Sequence, residues 1–400
     1  MTATSSTAAV DETFWHSSGR TSPYSRAGDL VFVAGTIATD AEGRVLHPGD
    51  VRGQTDAILG RIDQILQREG GSLADVVDVF AFVKDPRWCA DVLDAARTWF
   101  GADGPAWSLA GHTGSWHPEA LVTLKVTAHL GTGTRRTVTP PSQAWRGPLP
   151  MSAAVEKGGL VWLSGQLAVD VAGSPALPFD HVAQSRAAYQ GMRDCLAALG
   201  ASMDDILDFT SFHEDIRGAL PTMDEVYIPE IMAGVPLEHT ATTSHLGSSG
   251  LLRPGVLGTY RAFADTRGGT RLGCTPDSIW WKGVLPIAGA ARKEGGTVVT
   301  VAGQVACNPD ASVNSPGDPI GQAEYIFAAM AESLAGVGAS MADVVEVSSF
   351  HKDIRNLPGV LEVAHRHFGD NAPAWTASGV PGLWMEGYLH EIAATAVLPG

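Results

Sequence analysis

Three stretches of this 400-residue chain write nearly the same phrase. His351 stands in "SSFHKDIRN" (Ser348–Asn356) and His213 in "TSFHEDIRG" (Thr210–Gly218). The remaining copy, "FAFVKDPRW" (Phe80–Trp88), carries Val83 at that place. Imidazole titrates near neutral pH, so a histidine that reaches a cleft can give and take protons. Each histidine follows a serine by two residues, Ser211 and Ser349, and residues two apart share a face of a strand. Two roles fit this pattern: a general acid or base at a cleft, or a polar pair satisfied inside a core. A Ser–His nucleophile pair fits less well, because side chains two apart on one strand rarely aim at each other.

The bulk composition limits the partners. The net charge is -16, and no Lys/Arg-rich stripe offsets it, so nucleic acid and anionic membrane are poor partners. The chain is 44% hydrophobic and 18% charged, enough to bury sizeable cores. No apolar run approaches a membrane span, and the N-terminus "MTATSSTAAVDETFWHSSG" lacks the basic head and apolar stretch of a signal peptide. Cys89, Cys195, Cys274 and Cys307 are scattered, which suits a reducing cytoplasm.

Fixed spacing shows three units. Gly35, Gly165 and Gly303 close similar strands, and their separations are 165−35 = 130 and 303−165 = 138. Gln54, Gln184 and Gln322 repeat those separations, as do Ser72, Ser202 and Ser340. The units run over 14–138, 143–266 and 278–399, joined by links rich in Gly, Pro and Thr. Each reads as strand, helix, strand, helix, strand, strand. The first helix of each unit carries a four-residue apolar spacing: Ile58, Ile62 and Leu66; Ala188, Met192 and Leu196; Ile326, Met330 and Leu334. Gly70, Gly200 and Gly338 are placed to end these helices. The expected fold is α+β: three mixed sheets, each with two helices on one face.

"SPYSRAGDLVFVAG" (Ser22–Gly35), "SGQ" (Ser164–Gln166), "GASMADVVEVSSFHKD", the "PAW" triplets and "HEIAATAV" follow one another as in the Rid family of enamine/imine deaminases. The chain resembles three tandem Rid domains, with a chorismate-mutase-like fold. The resemblance implies a homotrimer collapsed into one chain: a monomeric pseudo-trimer, with three unequal clefts at the domain borders. It implies a small-molecule substrate and no cofactor.

Departures from the family refine this expectation. The "PAR" arginine that grips a substrate carboxylate in the family is missing. Its places hold Trp107 and Trp375, with Glu238 or His239 of "PLEH" in the second unit. Substrates with a free carboxylate are therefore disfavoured, unless Arg253 supplies the cation. Glu391 matches the family's proton-handling glutamate, and Thr123 and Thr259 replace it in the other units. The resemblance points to Glu391 as a catalytic residue, and the repeat position and imidazole chemistry add His351 or His213 as its expected partner. Trp375, Trp107, His239, Tyr24, Trp384 and Arg253 are the expected binding residues, and they suit an apolar or aromatic ligand. His213, His351, His239 and Glu391 lack metal-ligand spacing, so no metal is expected. The leading reading is a Rid-type enzyme that hydrolyses, tautomerises or cyclises an imine, enamine or related carbonyl compound. A non-catalytic binding or assembly protein is the second. A ring-opening amidohydrolase, similar to cyanuric acid hydrolase and barbiturase, is the third. Its Ser–Lys machinery is not repeated here, since Lys84 and Lys352 answer to Glu214 in the second unit.

Overall fold

The computed structural model describes residues 21–400. Trp15 and the start of the first unit at residue 14 lie outside the described residues. Three mixed sheets follow one another along the chain. The first contains β1 (Tyr24–Ala27), β2 (Leu30–Thr36), β3 (Val76–Val83), β4 (Ala106–Gly111) and β5 (Val122–His129), in the order β1-β2-β5-β3-β4. Helices α1 (Val51–Arg68) and α2 (Cys89–Ala96) cover one face. Strands β3 and β4 pair in parallel, and the other pairs are antiparallel.

The second sheet contains β6 (Arg136–Val138), β7 (Ala154–Lys157), β8 (Leu160–Gln166), β9 (Ile206–His213), β10 (Thr242–Gly247) and β11 (Gly258–Asp265), with α3 (His181–Leu199) on it. The second helix of this unit differs from the expected one. A single turn, α4 (Ala219–Thr222), runs into a π-helix at Met223–Ile231. Pro229 sits inside that π-helix, where it cannot donate to the ladder. The third sheet contains β12 (Arg271–Cys274), β13 (Ala290–Lys293), β14 (Val298–Gln304), β15 (Val344–His351), β16 (Ala374–Gly379) and β17 (His390–Val397). It carries α5 (Pro319–Gly336) and α6 (Leu357–Phe368). The links are more ordered than their composition suggests: β6 and β12 each add an edge strand to the sheet that follows.

The apolar helix positions named above are all buried in their own domain cores. Gly70, Gly200 and Gly338 have φ of 81°, 79° and 79°, the left-handed conformation that glycine adopts without strain. The opposite sheet faces meet around a pseudo-threefold axis. Phe82, Phe212 and Phe350, at matching positions of β3, β9 and β15, have ring centroids 6.1, 6.0 and 5.8 Å apart.

Three seams close the ring with matching backbone bonds: Ser152 N–H to Pro105 O at 3.1 Å, Ala288 N–H to Ala241 O at 2.9 Å, and Ser22 N–H to Pro373 O at 3.2 Å. At these seams β4 meets β8, β10 meets β14, and β16 meets β2. Ion pairs between buried acids and part-buried cations also cross between domains. Arg261 Nη2 lies 2.6 Å from Asp78 Oδ2, and Lys125 Nζ lies 2.9 Å from Glu346 Oε2. The third pair of this ring is missing. Asp208 takes the acid's place, but Ala393 stands where a cation would be. Asp208 instead accepts from Thr242 Oγ1 at 2.7 Å and Thr210 Oγ1 at 2.9 Å.

Candidate functional site

Each seam places a glycine at a bulge over one residue of the last strand of a domain. A Cβ on Gly35 would meet Thr123 and Thr376, and one on Gly165 would meet Thr259. A Cβ on Gly303 would fall on the Glu391 carboxyl. The register of β14 against β17 shifts between Val301 and Gln304, which opens this space. Three equivalent gaps are thus filled by threonine twice and by a carboxylic acid once.

The seams differ again in what covers them. In the link before the second domain, Arg146 is fully buried beside the first seam. Its Nη2 donates to Gly165 O at 2.7 Å and its Nε to Gln143 Oε1 at 3.1 Å, and its guanidinium lies 4.2 Å from the Trp145 ring centre. In the link before the third domain, Trp280 and Trp281 stand over the second seam, and Trp281 Nε1 donates to Ile287 O at 3.1 Å. Tyr325 pins this link from α5, with its hydroxyl 2.7 Å from Ser278 O.

Between these elements lies a pocket enclosing about 430 Å³, counting its open mouth. Trp280, Trp281, Leu285, Ile287 and Val305 form apolar walls, Trp384 and Tyr388 add aromatic surface, and Thr243, His245 and Glu391 supply polar atoms. No lysine or arginine lines it.

Glu391 is 3% exposed. Burial pushes its carboxyl up to about 8, against one opposing hydrogen bond from the His245 backbone N–H. At neutral pH it is therefore a carboxylic acid, able to donate a proton. Burial likewise keeps Tyr388 a phenol.

The structure separates the residues expected to act with Glu391. His351 lies inside the third domain: Nδ1 is 2.9 Å from His390 Nδ1, and Nε2 is 2.8 Å from Ser349 Oγ. It is a satisfied core histidine, not a partner of Glu391. His213 is also fully buried, with Nε2 2.8 Å from Ser211 Oγ. The same hydroxyl lies 2.7 Å from Nδ1 of His245, which does line the pocket.

Trp107 and Trp375 were expected near the clefts. Both lie in domain cores under the helices, since strand alternation turns them away from the axis; Trp375 Nε1 donates to Ser349 Oγ at 2.9 Å. The second-unit equivalent is neither Glu238 nor His239. Register places Thr243 opposite Phe209, as Trp107 is opposite Val79 and Trp375 opposite Val347. His239 lies outside the pocket, with Nδ1 2.7 Å from Arg271 O. Tyr24 is buried in the first domain, its hydroxyl 2.7 Å from Glu69 Oε1. Arg253 stands 5.7 Å from the Trp145 ring centre, away from Glu391. Trp384 alone of the expected binding residues lines the pocket. His245 was missed. Aligning the closing glycines Gly111, Gly247 and Gly379 would have found it. Among the described residues no group of three or more His, Cys, Asp or Glu side chains is placed to hold a metal.

A profile of the endoribonuclease L-PSP family matches residues 15–130, 144–247 and 290–398. The chain belongs to this family. It consists of three tandem Rid-type domains, and no domain keeps the arginine. A RutC family protein of Pyrococcus abyssi is 38% identical over 87 residues, 21% of this chain and 68% of the relative. Among solved structures, a putative endoribonuclease of Thermotoga maritima is 28% identical and covers 32% of this chain and 98% of its own, with a TM-score of 0.30. A chorismatase is 14% identical but spans 81% of this chain and 93% of its own, with a TM-score of 0.51. That likeness is one of fold across most of the family's three-domain arrangement here.

Proposed function

We propose that this family member is an enzyme. Its pocket between the second and third domains acts on an imine, enamine or related conjugated carbonyl compound, with Glu391 as the acid and base. The observation that carries this reading is a buried carboxyl facing an apolar pocket, where burial raises its pKa. In the hydrolytic version Glu391 gives its proton to the enamine β-carbon, leaving an iminium ion. The resulting carboxylate takes a proton from the water that adds to the iminium carbon. The carbinolamine then collapses to carbonyl compound and amine, so one water is consumed per enamine.

The missing arginine supports substrates other than 2-aminoacrylate-type acids. A doubly anionic substrate such as chorismate would also meet no cation on the pocket wall. The amidohydrolase reading gains nothing, because Lys84, Glu214 and Lys352 are all exposed. The three fused domains and paired seams support a working monomer, and the free cysteines suit a reducing compartment.

The test is turnover of a panel of uncharged enamines and imines by the wild type and Glu391→Gln. The variant keeps shape and should lose about 10²–10⁴-fold in kcat/KM. Full activity with normal melting would place the chemistry elsewhere. Sedimentation at the mass of one chain, 41.8 kDa, checks the monomer.

A further inference from the structure

The pocket has a second polar atom that the Glu391 reading does not use. His245 sits on β10, the edge strand that forms the second-domain side of the seam. It is 6% exposed, and its Nε2 is buried with no partner among the described residues. Its Nδ1 is held by Ser211 Oγ, which is held in turn by His213 Nε2. The ring is also fixed from across the seam, with its centroid 5.1 Å from the Trp384 ring. A buried ring nitrogen left unpaired costs free energy, so it calls for a partner, either an ordered water or a ligand atom, and its place on the pocket wall lets a ligand supply one. Two interlocked side chains behind it leave the imidazole little freedom to turn elsewhere.

The walls narrow what can enter. Four aromatic side chains and three aliphatic ones favour a flat apolar body. An anion would be desolvated with no cation to receive it. A cation could lie on the indoles, but Glu391 would not balance it at neutral pH, because burial keeps that carboxyl protonated. Burial also keeps His245 neutral, holding it down to about 4, so its ring offers one donor or acceptor and no charge.

We infer that the pocket takes a planar, uncharged, conjugated ligand whose polar atom hydrogen-bonds to His245 Nε2. In this role His245 touches the ligand directly, and Ser211 and His213 are positioning residues that set its ring and tautomer. The inference rests on the pocket assigned above and narrows its substrate class, but it concerns binding and not proton transfer.

Three isosteric probes separate the possibilities: benzamide, benzoate and benzamidine, which are neutral, anionic and cationic at pH 7. Binding is read by the fluorescence of the pocket tryptophans and by calorimetry. Benzamide should bind wild-type protein about tenfold or more tighter than either charged probe. His245→Phe, which keeps a flat ring without nitrogen, should weaken benzamide about tenfold, the worth of one hydrogen bond. His245→Gln, which restores an amide donor and acceptor, should recover part of it. ¹⁵N NMR should show a single His245 tautomer in the wild type and a mixture in Ser211→Ala, a change that mere loosening of the core would not produce. The inference is overturned if benzoate or benzamidine binds as tightly as benzamide. It is equally overturned if His245→Phe, folded by near-UV circular dichroism, binds benzamide like wild type, or if no probe binds saturably at millimolar concentration. The outcome is separable from the catalytic reading. If Glu391→Gln keeps full turnover while benzamide binding still depends on His245, the acid role falls and this one stands.

Discussion

The Glu391 carboxyl occupies the space that a Cβ on Gly303 would need. The acid therefore exists in its buried place only because the opposing bulge residue has no side chain. Gly303→Ala should push the carboxyl out and reduce activity nearly as far as Glu391→Gln does. The matching Gly35→Ala and Gly165→Ala changes, at the other two seams, should affect stability without that selective loss.

Stability should carry the mark of this acid. Its folded pKa, about 8, lies above the unfolded value near 4.5. Between these values the folded state holds a proton that the unfolded state has released, so stability falls as pH rises. Relative to wild type, Glu391→Gln should gain about 1.4 kcal/mol per pH unit across that window, and nothing further above it. Denaturant melts at several pH values measure this directly. The neutral histidines push the other way. Burial holds His245 and His390 down to about 4, so the unfolded state takes up their protons first, and stability falls as pH drops below about 6.5. In turnover, protonated Glu391 predicts a kcat/KM that declines above about pH 8.

The broken ring of ion pairs predicts opposite results from one substitution. Asp78→Asn leaves the part-buried Arg261 without its acid and should cost about 1–3 kcal/mol. Asp208 has no ion-pair partner, and burial raises its pKa against the Thr242 and Thr210 hydrogen bonds and the more distant charges of Arg261 and Lys125. Asp208→Asn should therefore raise the melting temperature at pH 7 by about 2 °C, and Ala393→Lys should raise it by supplying the missing partner. Equal destabilisation by both Asn variants would show that the ring has no such gap.

The units also predict repairs for one another. Trp375 Nε1 donates to Ser349, but the equivalent Trp107 Nε1 has no partner among the described residues, and Ala81 stands at the position of Ser349. Ala81→Ser should supply the acceptor and stabilise the first domain by about 1 kcal/mol. Calorimetry that shows no gain would mean the hydroxyl turns elsewhere.

Phe179 is 94% exposed, with φ of 63°, where the loops of the other units carry Gly49 and Gly317 at 80° and 78°. A side chain in this conformation costs about 1–2 kcal/mol. Phe179→Gly should return most of it, read as a higher midpoint in urea.

Much of the fold was legible because the chain states it three times. Repeated glycines, glutamines and serines fixed the units, and a four-residue apolar spacing fixed their first helices. The place of Glu391 on the last strand came from the family resemblance and not from the repeats, since Thr123 and Thr259 stand at the equivalent positions. The tryptophans were misread because a triplet of residue types does not say which strand face a side chain takes, whereas alternation from Ser108 or Thr376 does. His245 was hidden by the π-helix region of the second unit, whose altered length moved "PLEH" to the place where "PAW" was sought. The Ser211–His245 contact joins strands 34 residues apart, beyond the reach of any local pattern.

The seam between the first and third domains differs from the other two in time as well as in sequence. Arg136–Val138 and Arg271–Cys274 tie each earlier domain to the next as soon as the next sheet forms. The last seam joins Ser22 and Ser25 to Pro373 and Ala374, through Ser22 N–H to Pro373 O and Ala374 N–H to Ser25 Oγ. A ribosome must deliver nearly the whole chain before that contact exists. Until then a nascent two-domain piece presents unpaired edges at both ends, where a second copy can dock in place of the absent third domain. If one chain works as a monomer, as proposed, fusion exchanges the concentration dependence of a trimer for a waiting period during synthesis.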